Sequence, residues 1–207
     1  MNMYEFENNL YQLGYQKIAG TDEVGRGPLA GPLVCAAVIL DPDVTIYGLN
    51  DSKKISELKR EKIAKEIKKY ALAYSIVYIF EEEIDQINVY QASKKGMIEA
   101  LNDLTTEPDF VLSDAMPLGD DIPHEAIIKG DTKSASIAAA SIIAKVERDH
   151  YMVKMADKYP GYGFEQHKGY PTQQHIEALD TLGICKIHRK TYKPVKDRIQ
   201  NQLTLEI

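Results

Sequence analysis

The chain has 207 residues, 44% of them hydrophobic, with 25 Lys and Arg against 31 Asp and Glu and only two cysteines. That length supports one well-buried core, and the chain is read as a single domain over 1–207 with a helical C-terminal part from about 160. The net charge of −6 excludes a protein that binds polyanions with its whole surface, and the cysteines, without C-x-x-C spacing, exclude a disulfide framework or a zinc site.

No apolar run approaches the roughly 20 residues of a membrane span, and the acidic start Tyr4-Glu5-Phe6-Glu7 predicts no secretion signal, so a cytoplasmic protein is expected. Residues 1–16 read as a short amphipathic helix or a frayed lead, too short for a separate substrate-binding domain. Strands are predicted at 17–22 and 32–40, opening an antiparallel meander with a brief third strand at 45–47. Between the first two lies the stretch that organises the rest: Asp22 and Glu23, then Gly25-Arg26-Gly27 and Gly31-Pro32. Successive strand residues face opposite sides, so two adjacent acids serve one site only where regular pairing ends. The glycines admit positive φ and the close approach of a foreign backbone, with Arg26 on an exposed tip suited to a phosphate or sugar. Taken alone, Gly-x-Gly describes a hairpin turn beside an exposed acid pair equally well.

Leu49-Asn-Asp-Ser-Lys-Lys54 is a polar loop, after which Ser56 caps a helix to about Leu72 with Leu58, Ile63, Ile67 and Tyr70 on one face. A strand over 71–80 and a helix over 81–104, broken near Asn88, come next. Short strands at 109–113 and 126–129 deliver Asp114 and Asp131 to element ends, where open α/β sheets place their sites. Either aspartate by itself is more simply a turn or N-cap residue. The helix over 136–158 opens on Ile137-Ala-Ala-Ala-Ser141, small enough to lie close against a sheet. Lys145 follows Ser141 by one turn on the same face, and Arg148 and Asp149 read as members of structural pairs. Tyr159-Pro-Gly-Tyr-Gly-Phe164 ends that helix. His167-Lys168-Gly169-Tyr170-Pro171 then reads as an exposed loop in which Tyr170 is a stacking platform or a packed lid. Helices over 172–182 and 194–203 close the chain. The segment Lys186–Arg198 has six Lys and Arg against one Asp, which describes either a solvated face or a local nucleic-acid patch.

Asp22-Glu23-Val-Gly-Arg-Gly with Gly31-Pro32 closely resembles the opening signature of ribonuclease HII, the type 2 ribonuclease H that cuts RNA within RNA–DNA hybrids. The resemblance continues in Leu49-Asn-Asp-Ser-Lys-Lys-Ile-Ser56, Val111-Leu-Ser-Asp-Ala115, Lys129-Gly-Asp131, Ala138-Ala-Ala-Ser-Ile-Ile-Ala-Lys-Val-Glu-Arg-Asp149 and Gly163-Phe-Glu-Gln-His-Lys-Gly-Tyr-Pro-Thr172. These blocks span most of the chain in the family's order. They imply the ribonuclease H-like α/β fold, a mixed central sheet flanked by helices with additional C-terminal helices. They also imply catalytic Asp22, Glu23, Asp114 and Asp131, the first three as metal ligands, with Glu23 acting through its side chain or its backbone carbonyl. Substrate contacts are implied at Gly25, Arg26, Gly27, Lys53 with its neighbour Ser52, Lys145, and Tyr170 as a substrate-reading ring.

Four carboxylates converging in one cleft repel each other unless cations or protons intervene, and an all-oxygen set favours Mg²⁺ or Mn²⁺ over zinc. Two such ions are expected. The resemblance further implies RNA–DNA hybrids and DNA duplexes containing ribonucleotides as partners, cut by a monomer on the 5′ side of a ribonucleotide to leave 3′-hydroxyl and 5′-phosphate ends. A binding module without catalysis and a phosphatase of small esters are the alternatives. Four placed acids argue against the first and the basic tail against the second.

Overall fold

A strand covered on both faces has to be apolar throughout, and β2 (Leu33–Ile39) is buried at every position. The computed structural model describes residues 2–205, with side chains through 200. Its other strands are β1 (Ile18–Val24), β3 (Ala73–Ile79), β4 (Phe110–Asp114) and β5 (His124–Ile127), and its helices α1 (Glu5–Gln12), α2 (Glu57–Tyr70), α3 (Glu81–Asn102), α4 (Ala135–Lys158), α5 (Phe164–His167), α6 (Gln173–Leu182) and α7 (Lys193–Leu205). The strands form one mixed sheet of order β3-β2-β1-β4-β5, in which β1 is antiparallel to β2 and parallel to β4, and β4 is parallel to β5.

The chain divides into two compact units. The first comprises the residues up to Val24, Val34–Tyr78 and Ser93–Val146, and carries the acids. On one sheet face, Val34 and Val38 pack with Ile63 and Ile67 of α2 and with Ile142 and Ile143 of α4. On the other, the Cys35 thiol meets the carbonyl of Ser93 on α3 at 3.8 Å. The approach of α4 is close enough that a Cβ on Gly20 would sit 2.0 Å from the carbonyl carbon of Ser136. The start of α4 is held by Glu7 of α1, which accepts from the Ser134 hydroxyl (2.6 Å) and the Ser136 N–H (2.9 Å), a carboxylate at the positive helix end.

The second unit comprises Gly25–Leu33, Ile79–Ala92 and the residues from Glu147 onward. It packs Ala30, Met152, Tyr162, Phe164 and Ile187 in one cluster and Leu29, Leu179 and Val195 in another.

Several expectations change at the level of tertiary contacts. The segment 45–47 is not a strand; Ile46 is buried and its N–H donates to the Tyr4 hydroxyl at 2.9 Å, so a side chain replaces a ladder partner. Ser56 occupies the N-cap of α2 without a side-chain cap bond, and the buried face is Arg60, Ile63, Ala64 and Ile67, while Leu58 is 87% exposed and Tyr70 42%. β5 lies two residues earlier than expected, because the chain turns at Lys129 in a left-handed conformation (φ 58°). The break expected in α3 is present: Asn88 has φ 66° and ψ 162°, and its Oδ1 accepts from the N–H groups of Tyr90 (3.0 Å) and Gln91 (3.1 Å), so one side chain both interrupts and restarts the helix.

Gly20→Ala should cost at least ~3 kcal/mol, the upper end of overpacking. Thermal unfolding checks it, with a fall of about 6 °C or more expected.

Candidate active site

Parallel pairing of β1 with β4 runs to Thr21 beside Ser113. Asp22 and Asp114 are therefore the next residues on neighbouring strands, and they share a face. Asp22 is buried; its Oδ1 accepts from the Glu23 N–H at 2.7 Å, and the Ser141 hydroxyl of α4 also bonds it. Asp114 Oδ1 accepts from the Gly130 N–H at 2.7 Å. That bond ties the end of β4 to the 3₁₀ turn Gly130–Thr132, which carries Asp131. Three separate segments thus bring their acids to one end of the sheet.

The electrostatics follow from that convergence. Burial pushes the Asp22 carboxyl well above its ordinary range, and Glu23 and Asp114 push it further. Asp131 is raised by burial, Asp114 and Asp51, with Lys53 and Lys54 pulling the other way. Among the described residues, no three His, Cys, Asp or Glu side chains form a ready metal cage; the Oδ1 atoms of Asp22 and Asp114 are turned to N–H donors. The donor set is nevertheless oxygen only, and the excess negative charge that lifts Asp22 is what a hard divalent cation would offset.

One expectation about Asp22 and Glu23 is corrected. Regular pairing with β2 does not end there but continues to Val24 opposite Val34. Asp22 faces Ser141 on α4, whereas Glu23 lies opposite Cys35 and shares the face on which Cys35 meets α3. What ends is the pairing with β4. The Glu23 N–H bonds the Asp22 side chain rather than β2, and in an extended strand the carbonyl of a residue points to the same side as its N–H. The Glu23 backbone is therefore directed past the end of β4.

Around the acids, Ser52 is 2% exposed and its hydroxyl meets that of Ser141 at 3.1 Å, so it supports Asp22 through Ser141. Lys53 is exposed, and its N–H closes a turn on Asp51 Oδ1 at 2.9 Å. Arg60 holds the loop from below, donating to the carbonyls of Ser52 (2.6 Å) and Ile55 (3.0 Å). Lys145 is half-buried, one turn beyond Ser141.

The remaining predicted residues belong to the second unit. Gly25 has φ 111°, and a Cβ there would meet Arg148 Nε at 2.4 Å. Arg26 and Gly27 are exposed, and a Cβ on Gly27 would lie 3.9 Å from Tyr170 Cε1. Two fully buried guanidiniums hold this loop. Arg148 donates to the carbonyls of Pro32 (2.9 Å), Ala30 (3.1 Å) and Lys168 (3.0 Å), and sits 5.7 Å from the Tyr170 ring centre. Arg189 donates to Gly31 O (2.7 Å) and Arg26 O (3.2 Å) and to the Tyr192 hydroxyl, which itself donates to Arg26 O at 2.6 Å. The Leu29 N–H donates to Gly169 O at 2.8 Å. The glycine turn and the Tyr170 loop are thus one hydrogen-bonded object.

Arg148, expected to form a structural pair with its neighbour Asp149, feels the charges of Asp149 and Glu81 and also donates to three carbonyls. The signal was available: on a helical period it shares a face with Ser141 and Met152, both buried. The 167–171 loop is less exposed than expected, with His167 and Gly169 buried and Tyr170 half-buried. The basic segment is also weaker than its count: Arg189 is buried, and Arg198 pairs with Asp180 at 2.6 Å. Among the described residues no helix is long and apolar enough to cross a membrane.

Comparison with known proteins bears on the family and the fold. The family model described as ribonuclease HII matches residues 19–195. The ribonuclease HII of Listeria monocytogenes is 56% identical over 195 residues, 94% of this chain and 75% of that one. The crystal structure of ribonuclease H2 from Pyrococcus horikoshii OT3 superposes with TM-score 0.76 at 28% identity, covering 90% of this chain and 98% of that one. A Bst-RNase HIII solved in complex with Mn²⁺ shares the fold with TM-score 0.63 at 19% identity, over 92% and 71% of the two chains.

An acid whose folded pKa is raised stabilises the fold below its ordinary range and loses that contribution as pH rises through the raised value. At neutral pH an ionised Asp22 therefore costs stability. Asp22→Asn, which keeps an acceptor for Glu23 and Ser141, should raise the melting temperature in EDTA at pH 7 by about 2–4 °C, on the order of 1 kcal/mol. It should also flatten the pH dependence of melting between pH 4 and 7, where scanning calorimetry reads both effects.

Proposed function

Because the chain belongs to the ribonuclease HII family and so is a ribonuclease H, a metal-dependent endoribonuclease, we propose that it cuts the RNA strand of RNA–DNA hybrids and the 5′ side of ribonucleotides embedded in duplex DNA, acting as a cytoplasmic monomer. The observation that carries the catalytic half is the Asp22 carboxyl, buried and raised beside Glu23 and Asp114. Two divalent ions, Mg²⁺ or Mn²⁺, supply when bound the positive charge that activates a water and offsets the departing 3′-oxygen, giving 3′-hydroxyl and 5′-phosphate ends. Asp22 and Asp114 hold them, Glu23 contributes its carbonyl or carboxylate, and Asp131 adds a ligand or keeps Asp114 in place through the Gly130 turn.

The other residues bind and orient nucleic acid. Lys53 gives an exposed ammonium for a backbone phosphate, with Lys145 as a further cation, and Ser52 steadies the loop that presents Lys53. Amides in the Gly25-Arg26-Gly27 turn reach a 2′-hydroxyl, the group that separates RNA from DNA, and Arg26 meets a phosphate. The Tyr170 ring, lying across Gly27, packs on the adjoining deoxyribose, where a second hydroxyl would collide. This arrangement favours an RNA-to-DNA junction over continuous RNA.

A labelled duplex with one ribonucleotide and a continuous hybrid, each assayed with Mn²⁺, test the reading; wild type should cut both and Asp114→Asn neither. Tyr170→Ala should lower kcat/KM on the single-ribonucleotide duplex by about 5- to 150-fold, equivalent to ~1–3 kcal/mol of stacking, and lower it less on the hybrid. Equal losses would demote Tyr170 to scaffold. Lys53→Ala should weaken binding to both substrates and reduce the slope of log K against log salt by about 1, read by fluorescence anisotropy in Ca²⁺.

A further inference from the structure

Beneath the Tyr170 loop, the second unit buries three imidazoles where aliphatic side chains would fill space without desolvating a polar ring. His175 and His188 are 0% and 1% exposed and His167 is 9% exposed; the His167 and His175 rings stack at 4.5 Å and 13°. Their nitrogens form a directed chain. The Cys185 N–H donates to His188 Nδ1 at 2.9 Å, closer than the Cys185 carbonyl at 3.2 Å, so the proton of His188 sits on Nε2. That Nε2–H points at His175 Nε2, 3.1 Å away. Having accepted there, His175 carries its own proton on Nδ1 and donates it to the Tyr170 carbonyl at 3.0 Å. His167 accepts the Gly169 N–H on Nδ1 at 3.2 Å and donates from Nε2 to Tyr162 O at 2.8 Å.

The chain ends on the backbone of one residue. The Tyr170 N–H donates to His167 O at 2.9 Å, and its carbonyl also accepts the Thr172 N–H at 2.8 Å, so both peptide groups flanking the Tyr170 Cα are fixed. They need fixing, because the two preceding residues hold positive φ, 52° at Lys168 and 83° at Gly169. Lys168 does so with a side chain that disfavours it. Burial pushes His175 and His188 down to about 4, so both rings are neutral near pH 7. Each then has one donor and one acceptor nitrogen, as the directed chain requires.

We propose that His188 and His175 form a relay of positioning residues that sets the peptide plane, and hence the ring direction, of Tyr170, and through it the preference for an isolated ribonucleotide over continuous hybrid. This rests on the reading of Tyr170 as the junction-reading ring. The relay acts through the Tyr170 carbonyl and touches no substrate. A satisfied buried network of this kind specifies one geometry where an apolar filler would only occupy volume.

Side-chain amides test it, because the amide of Asn overlays imidazole Nδ1 and that of Gln overlays Nε2. At position 175 the bond to the Tyr170 carbonyl leaves from Nδ1, so His175→Asn should keep the ratio of kcat/KM on single-ribonucleotide duplex to that on hybrid within about twofold of wild type. His175→Gln should lower the ratio by about two- to tenfold, the worth of one hydrogen bond. At position 188 the relay leaves from Nε2, and the order reverses: His188→Gln keeps the ratio and His188→Asn lowers it. A space-filling role ranks the two amides alike at both positions, and that result would overturn the relay, as would four unchanged ratios while Tyr170→Ala still lowers its own. An unchanged ratio in Tyr170→Ala would instead remove the junction-reading role, and the relay with it. Melting curves identify any variant that does not fold; the other position's pair then decides by its own order.

Discussion

The repulsion among carboxylates at the end of β1 and β4 is the constraint on which the first unit depends. Register places Asp22 beside Asp114, and α4, lying against Gly20, buries Asp22. Several nearby polar groups then hold charge that would otherwise spread apart. Ser141 and the Glu23 N–H bond Asp22, the Gly130 N–H holds Asp114, and Ser52 backs Ser141. A fold optimised for stability alone would place a neutral side chain at 22. Keeping an acid there, raised by burial and then by its neighbours, leaves a site whose stability and cation affinity are linked: the charge that costs stability is the charge a divalent ion would offset.

The second unit solves a different problem, how to make a glycine-rich turn rigid. Glycines give the backbone its approach but no side chains with which to fix it. The fixing comes from Arg148 and Arg189, whose planar donors each reach several carbonyls and so determine the path of 26–32. Both lose solvation by burial, which lowers their pKa values, Arg148 to about 10. Arg148 also bonds Lys168 O and underlies Tyr170, so movement of the aromatic loop and of the glycine turn is coupled through one side chain. Arg189 and His188 come from a segment whose composition reads as a basic tail; their contribution is interior.

The sequence by itself determined the candidate residues for the chemistry, because acids at strand ends and a glycine turn after an acid pair are local patterns. It determined the alternation of strands and helices, the break at Asn88 and the small-residue face of α4, each of which is encoded within a few residues. Tertiary structure alone decided the rest. Whether Ile46 joins a ladder depended on Tyr4, 42 residues away. Which face of α2 is buried depended on the sheet it meets and on Arg60 turning inward to bond Ser52 O. That Asp22 and Glu23 face opposite sides of a ladder that continues past them depended on how far β2 pairs. The roles of Arg148, Arg189, His175 and His188 were hidden because a buried polar side chain is defined by partners distant in sequence: Pro32 lies 116 positions from Arg148, and Gly31 158 from Arg189. Local sequence encodes which groups can react; only the fold fixes where unlike groups meet, because that depends on contacts between segments that no local pattern records.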